Sequence, residues 1–290
     1  MKYFFKNIDR PTVNIYPLSD WHVGAKQCDL DFIKRIVKRI KDDPDALWIS
    51  IGDLGECVTR TSKGNVFEQL YSPGDQLRIC TELLAPIADK GLFGIRGNHG
   101  NRIDKETGVG WDELLCARVG VPYAGVAGFA GIQLNHGTKR ASFSVYAHHG
   151  SGGPNTPSGK IRAAQKPNSF VVADIILTGH THCAGECFPP RVYAYLDNVH
   201  RRIRWNVSRC YACGSAYDGR SGYVEEKLWQ PNVPEHLCLH VRTVRKRRNS
   251  KECFGVDVQC EIIRDHPDDT SNKHELAKWL GQDEPLLLED

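Results

Sequence analysis

Five short clusters in this chain combine residues that bind cations and move protons: Asp20-Trp21-His22, Gly52-Asp53, Gly97-Asn98-His99, His148-His149 and Gly179-His180-Thr181-His182. An Asp-x-His or His-x-His triplet on extended backbone puts both side chains on one side, because alternate residues of a strand share a face. Imidazole, carboxylate and amide donors without a thiol suit borderline or hard divalent ions such as Mn2+, Fe2+, Zn2+ or Ni2+. Two ions about 3.5–4 Å apart need a shared ligand, and a carboxylate has two oxygens with which to bridge, the role that falls to Asp53. Six of the twelve histidines lie in these clusters, while His136, His200, His236, His240, His266 and His274 read as surface or satisfied core residues.

Each cluster follows a short apolar run: Thr12 to Tyr16, Ala46 to Ile51, Leu92 to Ile95, Ser142 to Ala147 and Val171 to Leu177. Their β-branched and aromatic content predicts strands that end in functional loops. Between the first two, Leu30, Ile33, Ile36, Val37 and Ile40 recur at helical spacing behind Asp29 as N-cap, and Pro44 ends the run. A second helix is expected to begin at Asp75, bury Leu77, Cys80, Leu83, Leu84 and Ile87, kink at Pro86 and stop at Lys90 with Gly91 as its C′ glycine. Strands alternating with helices of this length describe a layered α/β fold whose ligands collect at the carboxyl ends of the strands.

In type and order the five clusters resemble the signature of the calcineurin-like metallophosphoesterases, D-x-H, G-D, G-N-H-[D/E], H and G-H-x-H, over roughly residues 12–183. The resemblance implies a four-layer αββα sandwich, two mixed β-sheets flanked by helices, and a centre of two divalent ions, Mn2+ first among them, with Fe, Zn or Ni as alternatives. It implies that Asp20, His22, Asp53 and His182 hold one ion, and Asp53, Asn98, His148 and His180 the other. His99 would then be the histidine that contacts the phosphoryl oxygen or protonates the leaving group. The expected reaction is in-line attack on phosphorus by a hydroxide held on the ions, with no covalent phospho-enzyme.

The fourth cluster holds two histidines, of which strand alternation lets only one face the ions. The resemblance favours His148, leaving His149 beside the ligands or the substrate. Gly100 stands where the family usually carries an acid that orients the histidine, a departure that bears on general-acid catalysis. Arg96 and Arg102 flank the third cluster as candidates for substrate phosphate, with pairing to surface acids as the alternative. Gly52-Asp53-Leu54-Gly55-Glu56-Cys57 departs from the Gly-Asp-x-Val-Asp-Arg-Gly of related protein phosphatases, and His182 is a residue they lack. Both point to the phosphodiesterase and nuclease branch, and the run from Gly97 to Ile103 resembles phage-type members. The expected substrate is therefore a phosphodiester in DNA or RNA. A phosphomonoesterase or nucleotide phosphatase is the alternative, and a non-enzymatic scaffold a more distant one.

The 290 residues carry 38 basic and 35 acidic side chains, a balance that by itself names no polyanionic partner. Its distribution is uneven. Residues 188–251 carry 13 Lys and Arg against 5 Asp and Glu, net +8, and residues 252–290 carry 3 against 11, net −8. The basic stretch, densest at Arg201 to Trp205 and Arg242 to Arg248, is a candidate surface for nucleic-acid phosphates through Arg245 to Arg248, with Trp205 or Tyr211 to stack on bases. The alternative is a solvated hairpin paired with the acidic segment. Both stretches are assigned to a single domain spanning 1–290.

Eleven cysteines without even framing are expected to be free thiols. Cys183, Cys187, Cys210 and Cys213 form one further set that a structural zinc ion would use. No run approaches the roughly 18 apolar residues of a membrane span, and Tyr3-Phe4-Phe5 stops at Lys6, short of a signal-peptide core. A cytoplasmic protein with no membrane partner is expected.

Overall fold

The computed structural model describes residues 1–62, 66–196, 201–217, 233–248 and 251–264. Most of the acidic C-terminal stretch therefore lies outside the described residues. The elements are β1 (Lys2–Ile8), β2 (Thr12–Leu18), α1 (Leu30–Asp42), β3 (Ala46–Ser50), α2 (Pro73–Leu84), β4 (Gly91–Gly94), α3 (Gly100–Thr107), α4 (Trp111–Val119), β5 (Ala127–His136), β6 (Lys139–His148) and α5 (Pro157–Ala163). They are followed by β7 (Ile175–Thr178), β8 (Ala184–Cys187), β9 (Pro190–Leu196), β10 (Arg201–Val207), β11 (Arg209–Ser215), β12 (Glu235–Arg248) and β13 (Lys251–Arg264).

Two sheets result. One runs β1-β5-β6-β7-β11 with β8 beside β11, and the other runs β12-β2-β3-β4 with β13 beside β12. Among the described residues their backbone ladders join only where Gly214 and Ser215 of β11 meet His236 and Glu235 of β12. β9 and β10 form a separate hairpin. Between the sheets lies a core of Ile15, Ile49 and Phe93 from one side and Ile132, Val145, Ile175 and Tyr211 from the other. Outside the second sheet, α1, α2 and α4 bury Ile33, Ile36, Ile40, Leu77 and Leu115 against Tyr16, Leu18 and Trp48. Tyr146, Ile176 and Cys210 face the other way, against Val171 and Ala173. Three apolar seams separate four layers, because each sheet strand alternates its side chains between two buried faces.

The sequence accounts for these elements locally. Asp29 caps α1, its Oδ1 accepting from Phe32 N at 2.8 Å. The second helix starts earlier than expected, at Pro73 behind the cap Ser72, and after Leu84 tightens into a 3-10 stretch from Ala85 to Lys90. Gly91 is not a left-handed C′ residue: its φ of −73° is extended and it opens β4. A glycine is needed there because a Cβ would lie 2.7 Å from Val121 and 2.8 Å from the Trp48 ring. No helix among the described residues is long and apolar enough to cross a membrane.

The parallel trio β2, β3 and β4 and the parallel pair β6 and β7 all deliver their carboxyl ends to one edge of the sandwich. The five clusters sit on that edge. β12 runs antiparallel to β2, with Leu239 opposite Ile15 and Arg242 opposite Thr12, so it leaves the edge as it proceeds. At about 3.3 Å per residue, Arg245 lies roughly 30 Å from the carboxyl end of β2. The densest basic run therefore belongs to the far end of the sheet. Within the same hairpin Arg242 pairs with Asp257 and Arg264 with Glu235. Tyr211, considered above for base stacking, is fully buried between the sheets. The side chains from Arg201 to Trp205 lie outside the described residues.

Candidate metal centre

Of the six described non-glycine residues with positive φ, five are Asp20, His22, Asp53, His180 and His182. Left-handed backbone costs a residue with a Cβ on the order of 1 kcal/mol or more, and it persists only where surrounding structure imposes it. Here it turns each side chain off its strand axis toward one point. The loops also lock to one another: Asp20 N–H donates to Gly52 O and His22 N–H to Asp53 O, both at 3.1 Å, and His180 N–H donates to Asp20 Oδ2 at 2.8 Å.

Two groups of donors face each other. Asp20, His22 and His182 form the first, and Asp53, His149 and His180 the second, with the ligand atoms of each group within 4.8 Å of one another. A third combination, His22, Asp53 and His99, meets the same limit and links them. Asn98 joins the second group, its Oδ1 3.0 Å from His149 Nε2.

The tautomers are fixed from behind. His22 Nδ1–H donates to Glu56 Oε2 at 2.7 Å, which turns its Nε2 inward, 3.0 Å from His182 Nε2. His149 Nδ1–H donates to the Ile51 carbonyl at 2.8 Å, and its Nε2 faces Asp53 Oδ2 at 2.9 Å as well as Asn98 Oδ1. Asp20 Oδ1 is buried without a hydrogen-bond partner, 3.3 Å from His182 Nε2. Imidazole nitrogens, acceptor oxygens and an orphaned carboxylate oxygen converge here on a place for positive charge. These donors fit divalent cations.

The electrostatics agree. Burial alone would lower both histidines, yet Asp20 and Glu56 raise His22 to about 10, and Asp53 raises His149 to about 9. Protons are thus held where a cation would sit. Burial would raise Glu56, but its bond from His22 keeps it below the usual carboxylate range. His99 behaves differently: burial brings it down to about 4 against the opposing pull of Asp53. Its Nδ1–H donates to the Glu56 carbonyl at 2.7 Å, leaving Nε2 to accept from Arg102 Nη2 at 3.0 Å.

The geometry brings together Asp20, His22, Asp53, Asn98, His99, His180 and His182, with Arg102 beside them. It corrects the choice within the fourth cluster. His149 is the buried histidine among the donors, whereas His148, the last residue of β6, turns away and accepts at Nδ1 from Gly150 N at 2.8 Å. Alternation guarantees that one of the pair points inward but does not say which. Arg96 makes the alternative contact with an acid, its Nη1 pairing with Asp104 Oδ2 at 3.0 Å.

The four cysteines do not converge. Three residues apart on β11, Cys210 and Cys213 point to opposite faces, one toward the outer core and one between the sheets. Cys187 lies opposite Cys210, and all four are free thiols.

Glu56 and Tyr217 are additions that sequence reasoning missed. Glu56 left a faint signal as an acid three residues beyond Asp53. Tyr217 left none, yet its ring centre lies 5.4 Å from that of His22 and 5.7 Å from that of His182.

Two sheets packed face to face, with an Asp, Asn and His centre where their parallel strands end, define a metal-binding α/β sandwich. The chain belongs to the calcineurin-like phosphoesterase family, whose model matches residues 13–184, more than half its length. Comparison with curated proteins finds no match. The family and the donor clusters together make this a metal-dependent phosphoester hydrolase.

Proposed function

We propose that the chain is a two-metal phosphodiesterase and that DNA or RNA is its substrate. The observation that carries the metal count is the place of Asp53, whose carboxylate belongs to the second donor group and also to the combination that links it to His22 of the first. Asp20, His22, Asp53 and His182 would hold one ion, and Asp53, Asn98, His149 and His180 the other; Mn2+ is the ion to test first. When bound, such ions supply Lewis-acid polarisation of the phosphoryl group and acidify a coordinated water to near neutrality.

The protein's own groups do the rest. Arg102 offers guanidinium N–H groups to the non-bridging oxygens. His99, with Nδ1–H committed to Glu56, exchanges protons only through Nε2. An arriving phosphate draws Arg102 off that nitrogen and raises its proton affinity, preparing His99 to protonate the leaving oxygen. Retention of both His180 and His182 supports a diester substrate. Arg102 and the Tyr217 ring beside the ligands support a nucleotide unit. The basic run on β12 lends no support, because it lies at the opposite end of the sheet.

The test is hydrolysis of labelled single-stranded and duplex oligonucleotides beside bis- and mono-p-nitrophenyl phosphate in Mn2+, with Asp53→Asn as control. Oligonucleotide cleavage that the control loses supports the proposal. Turnover of the monoester alone identifies a phosphomonoesterase, and comparable turnover by Asp53→Asn contradicts the two-metal assignment.

A further inference from the structure

Asp112 is a buried acid, 3% exposed, that none of the steps above uses. It is the second residue of α4, and its carboxylate reaches the loop that carries β4 into α3. Gly97 N–H points to Oδ2 at 3.4 Å. Gly100 packs its bare Cα against the same group: a Cβ there would lie 2.9 Å from Asp112 Cγ and closer still to Oδ2.

The other side of the loop is held in the same manner. His99 N–H donates to Asp53 Oδ1 at 2.8 Å, and a Cβ on Gly97 would lie 2.9 Å from Asp53 Cγ. Gly97 to Gly100 thus runs between two carboxylates, and the residues between those glycines are Asn98 and His99. Burial, reinforced by the charge of Asp53, pushes Asp112 up to about 7. An acid there costs folding energy that an apolar residue of similar size would not.

We propose that Asp112 is a positioning residue: its carboxylate, admitted because residue 100 has no side chain, fixes the loop that presents Asn98 and His99 to substrate. The assignment rests on the phosphoester-hydrolase reading for its effect on turnover, and on the loop geometry alone for its effect on the backbone. The direction of the missing Cβ makes it testable. An acid at position 100 and an acid at position 112 would fill one and the same space.

Four variants separate positioning from packing. Asp112→Ala is expected to lower kcat about tenfold with KM changed less than about twofold, since an interaction that orients reacting groups is felt in the transition state. Hydrogen exchange over residues 96–101 should quicken by about tenfold as the loop loosens. Asp112→Asn, which keeps an acceptor oxygen, should retain most of both properties. The transplant Gly100→Asp with Asp112→Ala should recover slow exchange and kcat, whereas Gly100→Val with Asp112→Ala should recover only melting temperature.

Recovery by valine equal to that by aspartate overturns the proposal. So does failure of the transplant to restore protection, or an Asp112→Ala variant that exchanges and turns over like wild type. Should Asp112→Ala fail to fold, Asp112→Asn and the two double variants carry the comparison. Exchange needs no substrate, so a wild-type protein without turnover would sink the hydrolase reading while the loop measurement still decides the role of Asp112.

Discussion

Gly97→Ala isolates how closely the site is packed. Gly97 does not have a positive φ, so alanine meets no backbone penalty, and restricting the unfolded chain would favour it by about 0.4–1 kcal/mol. The obstacle is space. The new methyl carbon would lie 2.9 Å from Asp53 Cγ and nearer still to Asp53 Oδ1 and backbone N, against an ordinary carbon–carbon separation of about 3.5–4.0 Å. Backbone cannot rotate away as a flexible side chain would. Gly52, with φ +92° and its own Cβ position 2.6 Å from Gly97 N, closes the loop from the same direction. Relief therefore requires the Asn98–His99 loop or the Asp53 loop to retreat by about 1 Å, a misplacement that typically costs about a hundredfold in rate. Overpacking should cost a further 1–3 kcal/mol or so of stability. The assay is kcat for bis-p-nitrophenyl phosphate at saturating Mn2+, with thermal melting alongside. Gly74→Ala in α2, whose nearest neighbour would be Ser72 Oγ at 3.8 Å, is the control and should stay within about twofold. Wild-type turnover by Gly97→Ala would refute the claim that backbone proximity sets the ligand geometry.

Other expectations follow from the same geometry. Glu56→Gln weakens the hold on the His22 tautomer and should lower Mn2+ affinity by about 10–100-fold, measured by calorimetry. His149→Ala should abolish occupancy of one ion site, whereas His148→Ala should leave Mn2+ binding within about threefold of wild type; the opposite pattern would reverse the assignment. With His22 at about 10 and His149 at about 9 when no ion is bound, both carry protons at pH 7.5, so Mn2+ binding must displace them. Apparent Mn2+ affinity should rise with pH and level off above these values, with close to two protons released as read in buffers of different ionisation enthalpy. For the ion-free protein the sign is the usual one for raised histidines: their stabilisation is complete below about pH 6.5 and is lost as pH rises through 9 to 10. Asp29→Ala should cost about 1 kcal/mol of unfolding free energy without touching kcat, since it removes only the cap of α1.

Most residues that the fold gathers at the candidate centre are legible in the sequence because an Asp-x-His or a Gly-Asn-His at a strand end is a local pattern, and local patterns survive without knowledge of the fold. Parts decided by a neighbouring element are illegible. Which of His148 and His149 points inward depends on the phase of β6, fixed by its pairing with β5 and β7. Asp112 becomes meaningful only once α4 lies across Gly100. The basic run on β12 looks like a substrate surface until the antiparallel register with β2 carries it to the other end. Cys210 and Cys213 look like a zinc pair until a strand between two cores turns them apart. β1 is hard to read because its outward face carries Tyr3 and Phe5 while its inward face, with Phe4 and Ile8, also carries Lys2 and Lys6, which hides the alternation.

The proposed ligands also divide between the sheets: Asp20, His22, Asp53 and Asn98 hang from β2, β3 and β4, and His149, His180 and His182 from β6 and β7. Among the described residues the backbone ladder links the two sheets only at the pairs made by Gly214 and Ser215, so ions coordinated from both sides would act as additional rivets across the sandwich. Occupancy then has a mechanical readout. At an ion concentration one hundred times Kd, the linkage is worth about 2.7 kcal/mol per site, or an upward shift in melting of roughly 4–5 °C for a chain of this size. Candidate ions can be ranked by how far each raises the melting point, before any substrate has been found.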